Sequence, residues 1–180
     1  MNLWINAIAY QTTWLAAIGG AAAGWWWMGP LALLLFAAWQ LPRSAQRRAD
    51  TLLLGYAGAL GFAVDSLFAQ TGLLSYSAAV PWAEWAPLWI VALWASFALT
   101  LNHSLAYLKR HWQLAAALGA VGAPLAYSAA ARSGALAFPP SATITLVLLA
   151  TTWAVLAPAL GLLATHLAAP VPAASSGAAR

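Results

Sequence analysis

The chain has 180 residues, of which 64% are hydrophobic and 6% charged, with a net charge of +4. A soluble domain carries about 25% charged residues. This composition therefore cannot cover a water-facing surface, and the outer face must meet lipid. The absence of Cys excludes disulfide scaffolds, thiolate metal sites and Cys nucleophiles. The Lys and Arg residues are scattered in short loops with no continuous basic face, so nucleic acid is not an expected partner.

The apolar runs predict an all-α, polytopic membrane helix bundle of about six transmembrane helices. The first span covers Leu3 to Ala22, with no basic n-region of a secretory signal before it. The second, shorter, covers Trp27 to Leu41. A basic loop with Arg43, Arg47 and Arg48 leads into a third span from Thr51 to Leu74. The fourth runs from Ala86 to Leu108 and ends at Lys109 and Arg110. The fifth covers Trp112 to Ala131, closed by Arg132, and the sixth Ser141 to Leu167. Residues 1–169 form one transmembrane domain, and residues 170–180, rich in Pro, Ala, Ser and Gly, read as a flexible tail.

If every span crosses, the two basic loops lie on the same side. The positive-inside rule then places that side, and both termini, in the cytoplasm of a multi-pass protein of the bacterial inner membrane. Gly-rich and Ala-rich faces on spans one, three and five allow close helix approach. Many of the twelve Trp residues fall near predicted interfaces, as an aromatic belt would.

Asp65 is the outlier, a carboxylate inside an apolar run. Such groups are costly in a bilayer and face a protein interior or a polar cavity. At 1.5 Å per residue it lies roughly 21 Å from the cytoplasmic edge, in the outer half. Tyr127 and Ser128 on span five, and Arg132 reaching inward, are its expected neighbours. It reads either as an interhelical anchor or as a general acid/base. A second polar group lies at the inner end of span four: Thr100, Asn102, His103, Ser104 and Tyr107. On a continuing helix, Thr100, His103 and Tyr107 share a face. His103 suits acid/base work near neutral pH, and Asn6 and Gln11 of span one are at the same level. His103 lies too far from Asp65 for a direct dyad.

The candidate catalytic residues are thus Asp65 and His103. Candidate substrate-binding residues are Asn102, Ser104, Tyr107, Tyr127, Arg132 (for an anionic headgroup), and Trp85 and Trp89 (for an apolar chain). No metal or cofactor site is expected, because no ligand spacing, nucleotide loop or nucleophile elbow is present.

The blocks NLWINAIAYQTTW, FAVDSLFAQTGLL, LNHSLAYL and GAPLAYSAAARSGALAFP resemble the bacterial membrane family called domain of unknown function 2878. The resemblance runs from Asn2 to about Leu167. It implies that Asp65, Ser66, Asn102, His103, Ser104, Pro124 and Tyr127 are family marks. It further implies an association with cyclopropane-fatty-acid-synthase-like methyltransferases, hence with membrane-lipid modification. The resulting expectation is a protein that binds or modifies a lipid-like substrate within the bilayer. Its partners would be membrane lipids, together with a lipid-modifying enzyme or another membrane protein. The alternatives are a secondary transporter or permease-like subunit, and a non-catalytic assembly subunit.

Overall fold

Among the described residues six α-helices form where the apolar runs predict them, and two of them have boundaries that differ in a way that matters for the site. The computed structural model describes residues 3–168. The expected tail, residues 170–180, lies outside the described residues. The helices are α1 (Leu3–Ala22), α2 (Met28–Gln40), α3 (Arg47–Gln70), α4 (Leu88–Leu101), α5 (Trp112–Ser133) and α6 (Ala142–Leu167). Among the described residues, α3, α5 and α6 are long and apolar enough to cross a membrane, and α4 is a shorter apolar helix.

The first correction concerns α3. It begins at Arg47, inside the loop expected to precede it. A 3-10 turn at Leu41–Arg43 carries Pro42, and the Gln46 N–H then donates to Ser44 Oγ at 3.0 Å. That side-chain turn starts the helix early. Asp50, expected in the loop, therefore sits in the first helical turn, where its negative charge suits the helix dipole.

The second correction concerns α4. The helix stops at Leu101, not at Leu108. The N–H groups of His103 and Leu105 both donate to the Thr100 carbonyl, each at 2.9 Å, which closes the helix end. Residues 102–105 form a turn, and a 3-10 helix follows at Ala106–Arg110. Thr100, His103 and Tyr107 therefore do not share a helical face.

Helix α4 is the centre of the bundle. Twelve of its fourteen residues are buried, and α1, α2, α3 and α6 pack on it. It runs antiparallel to α3, since Trp94 bonds to Asp65 near one end and Asn102 to Asp50 near the other. Helices α5 and α6 form an antiparallel pair. A side chain on Gly119 would place its Cβ 2.2 Å from the Trp153 carbonyl oxygen, so only Gly allows this approach.

A short antiparallel pair closes the end of the bundle remote from the basic loops. Strand β1 (Ser75–Tyr76) pairs with β2 (Leu136–Ala137), Tyr76 opposite Leu136. Gly134 caps α5 at φ +87°, where L side chains are strained, and turns the chain into β2. The opposite end gathers both basic loops: Arg43 lies beside Asn102 and His103 around one pocket, and Lys109 bonds to Asn102.

Candidate functional site

Two polar clusters and one cleft account for the buried polar side chains that sequence reasoning singled out. The first cluster surrounds Asp65, which is fully buried. Its Oδ1 accepts hydrogen bonds from the hydroxyls of Tyr76, at 2.5 Å, and Tyr127, at 2.7 Å. Its Oδ2 accepts from the indole N–H of Trp94 at 2.6 Å. Three donors from β1, α4 and α5 thus converge on one carboxylate of α3, and a buried charge needs such company.

The donors are themselves placed. Trp89 donates to the Ser77 carbonyl at 3.0 Å and packs edge-on against Tyr76. Gly61 leaves room for Trp94, because a Cβ there would lie 2.1 Å from the indole Cγ. Ser66, next to Asp65, accepts from the Ala86 N–H at 3.0 Å and ties the entry of α4 to α3. Burial, then the Asp65 carboxylate, push the Tyr76 phenol well above its ordinary value.

Arg132 does not reach this cluster; it is exposed, and the carboxylate is served by neutral donors. Glu84 is exposed in the loop before α4.

The second cluster occupies the basic end. Asp50, fully buried, has Oδ2 2.8 Å from His103 Nε2. Asn102 Nδ2 donates to Asp50 Oδ1 at 2.9 Å, and Lys109 Nζ donates to Asn102 Oδ1 at 2.7 Å. Burial holds the Lys109 amine below its ordinary lysine value, against the opposing pull of the Asp50 charge. Ser104 donates through Oγ to Asn6 Oδ1 at 2.5 Å, and Asn6 Nδ2 donates to the Leu99 carbonyl at 3.1 Å. The turn 102–104 is therefore fixed on one side by α3 and on the other by α1. His103 has a carboxylate partner after all, from a residue 53 positions away.

His166, near the end of α6, is exposed, and its Nδ1 faces the Leu162 carbonyl of its own helix at 2.8 Å. Among the described residues, no group of three or more His, Cys, Asp or Glu residues is arranged to hold a metal ion.

Between the two clusters runs a cleft of about 760 Å³. Helices α1 and α5, which touch each other little, form its walls, and α4 and α6 its floor. Tyr10, Trp14, Trp94, Phe97 and Trp153 supply aromatic lining, and Gly119, Gly122 and Ala123 a smooth strip. Trp153 stacks on Trp94 at 4.3 Å between centroids. Toward the basic end the lining becomes polar, with Ser104 and Tyr107. Trp4, Gln11, Tyr107 and Leu118 are exposed, so the cleft opens to the outer surface.

The structure sorts the sequence candidates by position. Tyr127, Ser104 and Tyr107 line the cleft, whereas Asp65 lies behind its wall, held by Trp94 and Tyr127. Asn102 and His103 line a separate pocket at the basic end. Trp85 stacks on Phe62 at 5.6 Å, and Trp89 is buried against Tyr76; neither lines the cleft. Sequence reasoning missed Asp50, Tyr76, Trp94 and Trp153. Asp50 offered one signal: it is the only carboxylate in the loop before the third apolar run.

Neither the curated proteins nor the solved structures give a match to this chain. A family model described as "Protein of unknown function (DUF2878)" matches residues 3–159. The chain, with its paired polar clusters and intervening cleft, belongs to that family.

Proposed function

We propose that this is a six-span protein of the bacterial inner membrane that binds a lipid-like molecule in the cleft between α1 and α5. The observation that carries the reading is the lining of the cleft. It is aromatic and aliphatic along most of its length and gains hydroxyls at one end. An apolar chain fits the first part and a polar terminus the second. The basic end, with Arg43, Arg47, Arg48, Lys109 and Arg110, is the cytoplasmic face in this reading. Asp65 acts as the anchor that holds Trp94 and Tyr127 in the wall. The alternative of a proton or solute path finds less support, because the cleft surface between the levels of Asp65 and His103 is mainly apolar.

Gly122 provides the test. A side chain there meets nothing within 4 Å and projects into open space on the cleft wall. Gly122→Leu should fill part of the cleft without disturbing the fold. Native mass spectrometry of protein extracted with its lipids should show bound lipid in the parent chain and its loss in the variant. An identical lipid complement in both would sink the proposal.

A further inference from the structure

The cleft carries a pattern of hydrogen-bond donors that narrows what can occupy it. Among the described residues, no Asp, Glu, Lys, Arg or His lines it. Most of its polar side chains are already engaged. Trp94 and Tyr127 donate to Asp65, Ser104 Oγ to Asn6, and Thr100 Oγ1 to the Phe97 carbonyl. Trp153 Nε1 is unpaired but sealed inside the bundle, and Gln11 and Tyr107 are exposed at the rim. The Tyr10 hydroxyl and the Trp14 indole N–H differ from all of these. Both residues are half-buried and line the cleft, four apart on α1. Neither donor has a hydrogen-bond partner among the described residues, and neither is sealed as Trp153 Nε1 is. Phe97 meets the Tyr10 ring edge-on at 6.2 Å, which sets where that hydroxyl can point.

Asn6, bonded to Ser104, marks the level of the cleft's polar end. At 1.5 Å per residue, Tyr10 and Trp14 lie roughly 6 and 12 Å from it along α1. Trp14 is thus near the middle of a 20-residue helix, away from the ends where an aromatic belt holds indoles at the headgroups. In the six-span reading no bulk water reaches that depth, and saturated acyl chains accept no hydrogen bond. A donor there stays unmet, at a cost in free energy, until an acceptor arrives. The acceptor has to be uncharged. A phosphate or carboxylate at this level would meet no cation, and desolvating an unpaired charge costs far more than the donors would regain. A carbonyl oxygen, with two lone pairs and no proton of its own to satisfy, answers a donor of either kind.

We propose that the occupant of the cleft is an uncharged lipid bearing a carbonyl group, which accepts hydrogen bonds from Tyr10 and Trp14. The inference rests on the lipid reading of the cleft and narrows it, setting aside charged phospholipids and plain hydrocarbons. The same chemistry has two sources, a neutral acyl ester such as a monoacylglycerol or an isoprenoid quinone. Either presents carbonyl oxygen without charge and a single long chain for the apolar lining.

The test uses the full chain in detergent, stripped of its native lipid, with binding read by native mass spectrometry. One arm adds monooleoylglycerol, the other a short-tailed menaquinone, and phosphatidylglycerol is the charged comparison. At least one carbonyl lipid should bind more tightly than phosphatidylglycerol, and the arm that responds more strongly names the source. Tyr10→Phe removes an unengaged hydroxyl, so the variant should unfold at the parent's temperature. Its affinity for the responding lipid should fall about tenfold, as for one lost hydrogen bond. Tyr56→Phe, exposed on α3 and outside the cleft, should leave binding unchanged. The infrared carbonyl stretch of the bound lipid should lie below its value in detergent and rise again in Tyr10→Phe. Phosphatidylglycerol binding as tightly as either carbonyl lipid overturns this inference and leaves the lipid reading standing. Binding of none of the three overturns both. The inference also fails if Tyr10→Phe binds as the parent does, since the cleft then holds its ligand by apolar contact alone.

Discussion

Asp50 Oδ2 lies 2.8 Å from His103 Nε2, joining the first turn of α3 to the turn that ends α4. The carboxylate is fully buried, and His103 and Asn102 both bond to it. Removing one partner of such a pair leaves the other desolvated and exposes the full cost of burial. His103→Ala should destabilise the protein by about 3 kcal/mol in detergent unfolding experiments. Adding Asp50→Asn to that variant should recover part of the loss, a coupling of about 1–3 kcal/mol. Strict additivity of the two changes would show that the residues are neighbours without being partners.

At Asp65 the expected pattern differs, because three neutral donors share one carboxylate. Tyr127→Phe and Trp94→Phe each remove one hydrogen bond to the buried Asp65 side chain, a loss of about 1–3 kcal/mol apiece. Asp65→Ala strands all three donors and should cost more than either. If Asp65→Ala unfolds no more readily than Tyr127→Phe, the carboxylate is not the tie between α3, α4 and α5.

Two glycines three residues apart on α3 should respond in opposite directions. A Cβ at Gly61 would sit 2.1 Å from Trp94 Cγ, whereas at Gly58 it would rest 3.7 Å from Val91 and 3.9 Å from Ala95. Gly61→Ala should cost about 1–3 kcal/mol by forcing the indole off Asp65. Gly58→Ala makes ordinary contacts and should be neutral, or stabilising by up to about 1 kcal/mol. Thermal unfolding midpoints of the two variants provide the comparison, and equal shifts would contradict the packing described for Trp94.

Lys109 is the only lysine in the chain, so amine labelling reports on it directly once the N-terminal peptide is separated. Burial lowers its pKa and the Asp50 charge raises it. Labelling with an acylating reagent should therefore reach half-maximal rate below pH 10.5, the ordinary lysine value. Asp50→Asn should shift the profile further down. The sign for stability follows. Below the depressed pKa, the charged amine carries its full burial cost. Between that value and 10.5 the unfolded chain binds more protons, so the contribution of Lys109 to stability rises with pH. A labelling midpoint at or above 10.5 would contradict the burial of this amine.

The natural absence of Cys gives a direct test of orientation. Ser44→Cys lies at the basic end and Ser77→Cys beside the strand pair. With the basic end cytoplasmic, an impermeant maleimide added to intact cells should label the Ser77 variant and spare the Ser44 variant. The reverse result would invert the protein.

The helix count was legible because apolar runs of sufficient length are separated by Pro, Gly and charge. The ends of α1, α5 and α6 followed from the same signals. The early start of α3 was hidden because the run PRSAQRRAD reads as a solvated basic loop, and only the Ser44 turn shows where the helix nucleates. The early end of α4 was hidden because Asn102, His103 and Ser104 stay in register with a helix on paper. What stops the helix is capture of these side chains by Asp50 and Asn6, 52 and 98 residues distant. Asp65 announced itself by charge alone. Of its donors, Tyr127 was legible from its depth on the fifth span; Tyr76 and Trp94 were not, because Tyr76 lies in the loop after the third span and Trp94 reads as one more apolar residue until its N–H is placed against a carboxylate. The cleft was legible only as a general abundance of Trp and small residues, since a groove belongs to the spacing of α1 and α5 and to neither sequence.

The burial of α4 carries a consequence for biosynthesis. Its residues are almost all covered by protein in the finished bundle, so their hydrophobicity is not spent on contact with lipid in the mature state. If α4 crosses the membrane, as the six-span proposal has it, it enters the bilayer and meets lipid before α5 and α6 exist. In that reading its apolar character serves the moment of insertion, when Ser96 and Thr100 can turn their hydroxyls onto the helix's own carbonyls, as they do in the folded state. A six-span protein would thus have α4 written for two successive surroundings, first acyl chains and then its four helix neighbours. Variants of α4 that pack well but insert poorly should appear as failures of membrane integration, with no loss of stability in the molecules that do assemble.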